Sequence, residues 1–250
     1  MRALRAALGC LVVLAVCTVR MADAARAAPP ADAAAAAADD SAAAVPWFCH
    51  DLDCPRFSIK KNLTDLGIEL RRYPAAKWAS TKIEGSSYDK AVATGFWRLF
   101  KYISGNNADG AKVEMAAPVT VKVLAGQGPA CKDTFTVSFF VPFAHQSNPP
   151  KPSDESVFIE SRPAADVYVA SFGGWARGST YLDHAADTAK ALEGEGIETA
   201  GGFFWTAGYD SPFRLTSRHN EVWIPAAAPS DAAAESEPPA AADAPAVAAS

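Results

Sequence analysis

Histidine and cysteine are scarce in this chain, four and five among 250 residues. His50, His145, His184 and His219 show no metal-ligand pair spacing. Cys49, His50 and Cys54 make a poor zinc set, because the two cysteines are wrongly spaced and no second pair follows. A Gly-x-Ser-x-Gly elbow is missing, which removes the visible nucleophile of an acyl-transfer hydrolase. Gly173-Gly174 and Gly201-Gly202 lack the lysine and spacing of a phosphate cradle. A basic surplus is missing too: the net charge is −5, the wrong sign for a nucleic-acid partner. No apolar run approaches the ~20 residues that cross a bilayer, so no membrane span is expected. With catalysis unsupported, a binding protein is expected rather than an enzyme.

The chain ends contribute little to a fold. Residues 1–24 carry Arg2 and Arg5, an apolar run over 8–19, and Ala22-Asp23-Ala24 as a small-x-small exit. This predicts a secretory signal peptide and an extracellular protein. Residues 25–45 and 226–250 are rich in Ala, Pro and acid but lack large apolar side chains, so they cannot offset the entropy of ordering and read as disordered tails. Residues 46–225 remain as one domain with a full core. Its charge is near neutral, because Asp32, Asp39, Asp40, Asp231, Glu235, Glu237 and Asp243 lie in the tails.

Cys10 and Cys17 leave with the signal peptide. Of Cys49, Cys54 and Cys131, one pair is expected to bridge, leaving one thiol free or paired between chains. A Cys49–Cys54 bridge ties the domain's entrance; a bridge from either to Cys131 restrains more chain. Asn62-Leu63-Thr64 is a glycosylation sequon suited to a secreted protein.

The domain carries one structural paragraph twice. Ile68-Glu69-Leu70-Arg71-Arg72-Tyr73-Pro74 is answered by Ile159-Glu160-Ser161-Arg162-Pro163. In the first copy, strands over 67–73 and 76–84 lead to a helix over 88–102, capped by Ser86 or Ser87 and closed by Gly105. Tyr88, Val92, Gly95, Phe96, Leu99 and Ile103 form its apolar stripe. Trp97 and Phe100 fall on a flank with Ala93, free to line a groove or to lie under loops. Residues 113–124 break at Ala116-Ala117-Pro118, which suits an edge strand or bulge, and 135–141 alternate as a strand. The second copy repeats the order: strands over 157–161 and 167–172, then a helix capped by Ser179 or Thr180 and running through Leu192. Leu182, Ala185, Ala186, Ala189 and Leu192 form its stripe, which leaves His184 facing solvent. Strands over 203–209 and 220–224 finish the sheet. Two such units close around one shared core and leave a groove where they meet.

The chain resembles the SOUL/haem-binding-protein family, in its second branch and in secreted form. The likeness is carried by Tyr73-Pro74-Ala75-Ala76-Lys77-Trp78, Lys112-Val113-Glu114-Met115-Ala116-Ala117-Pro118-Val119-Thr120, Ser156-Val157-Phe158-Ile159-Glu160, Thr206-Ala207-Gly208-Tyr209-Asp210-Ser211-Pro212 and Arg218-His219-Asn220-Glu221-Val222-Trp223. The resemblance implies an α+β fold: a distorted mixed β-barrel of about eight strands from two pseudo-symmetric βαββ halves, with two helices packed on it. It also implies haem or metal-free porphyrin as ligand, in a groove between the first helix and the loop joining the last two strands. Ala93, Phe96 and Phe100 map to the helix wall, with Trp97 beside them, and Arg214 maps to the loop, where it can meet a propionate. Arg72 stands where some relatives carry a proposed axial histidine, so that route to iron is closed; His219 or His50 are the substitutes. Relatives are also linked to protein partners through the second helix, here 189–197, which reads as plain amphipathic helix. A general apolar-ligand binder is the other alternative.

Overall fold

A computed structural model describes residues 45–85, 87–124 and 133–227. The expected signal peptide, nearly all of both tails, Ser86 and Cys131 lie outside these residues. Among the described residues nine strands alternate with two long helices. They are β1 (Ser58–Leu63), β2 (Ile68–Tyr73), β3 (Ala76–Gly85), α1 (Tyr88–Ile103), β4 (Val119–Leu124), β5 (Asp133–Phe140), β6 (Val157–Arg162), β7 (Ala165–Gly173), α2 (Gly178–Gly194), β8 (Phe204–Gly208) and β9 (His219–Pro225). Every ladder is antiparallel, in the order β1-β2-β7-β9-β8-β4-β5-β3-β6.

Two expectations change here. The sheet is antiparallel throughout, not mixed, and has nine strands, because the lysine-rich β1 adds itself to the edge of β2. The order is also open, with β1 and β6 as its edges. The stretch around Ala116-Ala117-Pro118 precedes β4 rather than breaking it, and β4 is an interior strand between β5 and β8. The Ala117–Pro118 peptide is cis.

The register explains why a duplicated unit makes one domain. β2 does not pair with β3, its neighbour in sequence; Pro74 turns the chain away and β2 joins β7 of the second copy. Reciprocally, β6 joins β3 of the first. Arg71 faces Val167, and its counterpart Arg162 faces Ala76. Thr120 on β4 lies opposite Ala207 on β8, and the ladders make these two positions equivalents, so the pseudo-twofold axis passes between them. Each copy lends a strand to the other, and neither closes its core alone.

One face of the sheet receives the helices. Ser87 caps α1 by accepting the Lys90 N–H, as expected. Gly95 brings α1 down onto β3 and β5, where a Cβ would lie 2.5 Å from Val137 Cγ2. α2 begins at Gly178, earlier than the Ser179 or Thr180 cap; the Thr180 hydroxyl instead accepts the Arg177 N–H at 3.4 Å. Its buried stripe is Gly178, Tyr181, Ala185, Thr188 and Leu192, so Leu182, Ala186 and Ala189 are not the inward set. The wheel turns because the buried polar ends are satisfied: Tyr181 donates to Asn220 Oδ1 at 2.9 Å and Thr188 to His184 O at 2.6 Å. A wheel scored on apolarity alone passes over them. His184 is half-buried and stacks on Phe172 at 3.8 Å, where solvent had been expected. The helix joint is tight, with Gly178 against Tyr88 and its N–H bonded to Asp89 Oδ1.

The other face holds a second core of Tyr73, Trp78, Phe140, Val167, Val169, Ala207, Tyr209 and Trp223, joined by Phe48, Cys49 and Cys54. The segment ahead of β1 therefore seals part of the sheet's inner face. Cys49 and Cys54 are bonded, with Cα atoms 6.0 Å apart, which selects one of the expected pairings.

Candidate functional site

The outer flank of α1 is where sequence and structure converge. The pitch that buries Ala91, Gly95, Leu99, Tyr102 and Ile103 turns Ala93, Trp97 and Phe100 outward. Trp97 is 61% exposed and Phe100 41%, so neighbouring backbone does not seal them. Phe96 is half-buried and serves both sides. It packs edge-on to Phe139 of β5 at 5.3 Å and stacks with Phe100 at 5.9 Å and 13°. Trp97 stands edge-on to Phe96 at 5.8 Å and to Phe100 at 5.7 Å. Three large rings thus form one cluster, anchored in the core at Phe96 and open at the other two. Tyr88, Val92 and Phe96, expected in the buried stripe, are only partly covered.

Arg214 lies in the β8–β9 loop, its Nε 3.2 Å from Asp210 Oδ1. Among the described residues no hydrogen bond, ion pair or ring contact joins it to the α1 rings. The same loop presents Phe213 at 89% exposure and Leu215 at 75%. Arg218 fixes the loop's shape by donating to Ser211 O, Arg214 O and Asp210 O, and lies over Trp175 at 4.1 Å.

The histidines proposed as substitute iron ligands are both engaged. His219 Nε2 is 2.8 Å from Glu221 Oε1, and its ring stacks on Phe48 at 4.0 Å. His50 Nε2 is 3.0 Å from Asp210 Oδ1. Arg72 points outward from β2 to Asp166. Among the described residues no group of three or more His, Cys, Asp or Glu is arranged to hold a metal ion. Asn62 is exposed on β1, opposite Glu69. A shallow concavity of about 540 Å³ lies elsewhere, beside β6 along Pro149, Lys151, Asp154, Val157 and Phe158.

A polar cluster on the sheet's inner face went unread in the sequence. Glu221 is fully buried. It accepts from Arg71 Nη1 at 2.9 Å, Tyr209 OH at 2.8 Å and Trp223 Nε1 at 2.7 Å, besides its contact with His219. Burial pushes this carboxyl up, but the His219 bond, the Arg71 charge and the Trp223 bond outweigh it and hold the group down at about 2. Arg71 also pairs with Glu69 at 2.7 Å and lies over Phe57 at 4.1 Å. In the other half Arg162 bonds Glu160, Ser138 and Thr120 and lies over Trp78 at 4.2 Å. The usable signal was the Glu-x-Arg spacing in both copies.

Residues 52–225 match the family described as SOUL heme-binding protein; the chain belongs to that family. It is 42% identical over 156 residues to heme-binding protein 2 of Mus musculus and 40% identical to that of Homo sapiens, in each case over 62% of this chain and 76% of the relative. Heme-binding protein 1 of Mus musculus is 33% identical over 64% of this chain and 84% of its own. The cryo-EM structure of the EcmrR–DNA complex shares the fold alone, with a TM-score of 0.50 and 9% identity over 63% of this chain and 56% of that one. Among the described residues no helix is long and apolar enough to cross a membrane.

Proposed function

We propose that this protein is a secreted binder of haem or metal-free porphyrin, a tetrapyrrole carrier that grips the macrocycle more than the metal. The observation that carries the reading is the ring cluster of α1, with Trp97 and Phe100 open on a helix whose core face is already filled. Relatives named heme-binding protein supply the ligand class. Flat aromatic and aliphatic surface suits a porphyrin plane, Ala93 leaves room beside the rings, and Arg214 is the partner for a propionate. A tetrapyrrole has roughly forty heavy atoms, and ~0.3 kcal/mol per atom amounts to about 10 kcal/mol. That reaches micromolar affinity or better without a bond to iron. Because His50 and His219 already hold carboxylates, no iron ligand is assigned. No catalytic role is assigned.

In this reading residues 1–24 direct export, and Asn62 carries a glycan on the β1 edge. The test is titration of the mature chain with haemin and with protoporphyrin IX, read by the Soret band of each ligand. Comparable affinities, both lost in Trp97→Ser/Phe100→Ser, support the reading. Retention of both affinities in that variant overturns the site. A second reading, an interaction surface for an apolar partner, draws on Phe213 and Leu215. It predicts that Phe213→Ser and Leu215→Ser abolish association with that partner while porphyrin binding is absent from the parent chain.

A further inference from the structure

The loop carrying Arg214 is held from outside by the segment ahead of β1, and Asp210 is the joint. Its side chain is only 1% exposed. Oδ2 accepts the His219 backbone N–H at 2.6 Å. Oδ1 faces both His50 Nε2 at 3.0 Å and Arg214 Nε at 3.2 Å. His50 sits inside the short loop closed by Cys49–Cys54, and its φ of 56° is one that non-glycine residues seldom adopt. That conformation persists because its surroundings fix it. Asp53 O accepts the Ala117 N–H and Asp53 Oδ2 the Phe143 N–H, both at 2.9 Å, while Phe48 is stacked on His219. The second left-handed non-glycine residue among those described is Ser217, at φ 51°, in the loop itself.

The way Arg214 is held matters for chemistry. Its Nε is buried and lies within ion-pair distance of Asp210 but makes no hydrogen bond to it, so its hold on Asp210 is electrostatic. The two terminal guanidinium nitrogens have no partner among the described residues, and the side chain is 39% exposed. A guanidinium binds a carboxylate best through a planar two-nitrogen fork, and that fork is what remains free. Asp210 weakens the long-range pull of Arg214 on an anion but holds the buried Nε end in place, which limits the directions the fork can take. Fixing a rotamer-rich side chain before binding removes part of the ordering cost.

We propose that Asp210, backed by His50 and the disulfide-closed leader, is a positioning residue that aims the free end of Arg214 at a ligand carboxylate. The inference rests on the tetrapyrrole reading and extends it to the acid side chains of the ligand. The leader then acts as a brace for the binding loop as well as a lid on the core.

The experiment compares protoporphyrin IX with its dimethyl ester, which keeps the macrocycle and lacks the carboxylates. Both are titrated against the oxidised full chain, Asp210→Asn, Arg214→Gln and the double variant, with near-UV circular dichroism to verify folding. Arg214→Gln is expected to weaken the diacid about tenfold and the ester less than about twofold. Asp210→Asn should weaken the diacid roughly three- to tenfold, again sparing the ester, and the double variant should match Arg214→Gln because the two act through one contact. Should Asp210→Asn not fold, His50→Gln takes its place, with a loss of about two- to threefold confined to the diacid. Equal losses for diacid and ester, no loss in either, or additive losses in the double variant overturn the inference and leave the tetrapyrrole reading standing. Binding of neither compound by the parent chain overturns both.

Discussion

The two halves of the sheet's inner face occupy the same register and have diverged in charge. Arg71, Ser171, Glu221 and Ala207 stand where the other half has Arg162, Ser80, Ser138 and Thr120. Both arginines keep the glutamate two residues earlier and both lie over an aromatic ring. What differs is the second partner. Arg162 is surrounded by hydroxyls, and burial lowers its pKa against the opposing pull of Glu160. Arg71 meets a buried carboxylate, and although burial opposes it, Glu221 and the neighbouring tyrosines raise its pKa. Beyond the glutamate that both arginines keep, a duplicated scaffold thus reaches two solutions to one buried cation, neutral hydroxyls in one half and a second, buried carboxylate in the other. The charged solution lies under Phe48 and the Cys49–Cys54 leader.

Giving the second half the residue of the first breaks this comparison most severely. Glu221→Ser removes the acceptor of Arg71, Tyr209 and Trp223 together and should cost about 3–5 kcal/mol. Ser138→Ala, at the equivalent position, should cost about 1 kcal/mol. Urea unfolding at pH 7 reads both, and equal losses would contradict the distinction.

Acid sharpens it next. A carboxyl lowered from 4.5 to about 2 contributes stability that is complete above its unfolded pKa and is lost as pH falls through its folded one. Glu221 should therefore supply about 3 kcal/mol at neutral pH, fading between pH 4.5 and 2. The stability difference between the parent chain and Glu221→Gln should shrink across that window; a constant difference goes against it.

The helices carry the comparison further. Gly95→Ala drives a methyl into Val137 and should destabilise by about 1–3 kcal/mol. Gly194→Ala at the end of α2, with no atom within 4 Å of the added Cβ, should be neutral or stabilise by less than ~1 kcal/mol. Thermal unfolding of the two variants separates them. The smallest effect belongs to the sheet's outer surface. Arg72→Ala breaks an exposed pair with Asp166 and should move stability by less than ~0.5 kcal/mol in urea.

Much of this was legible in the residues. The repeated Ile-Glu-x-Arg run announced two halves, the capping serine and Gly95 located α1, and the helical pitch singled out Trp97 and Phe100. What escaped was whatever depends on polar atoms finding partners across the fold. Tyr181 turned α2 inward because Asn220 was waiting; Thr188 is buried on the same stripe with its hydroxyl bonded back to its own helix. Glu221 reads as an ordinary strand acid until Arg71, 150 residues earlier, arrives beside it. Strand exchange was hidden for a similar reason, since a proline-marked turn normally suggests that its flanking strands pair. Asp210 carried no sequence sign of its link to His50, which exists only once the leader has folded over the loop.

The carrier account stands or falls on a Soret-band titration of the mature chain with haemin beside metal-free protoporphyrin IX. It predicts affinities of the same order for the two and no six-coordinate iron spectrum, because the helix rings hold the plane and both engaged histidines stay where they are. A strong preference for the iron form, with a six-coordinate band, would contradict it.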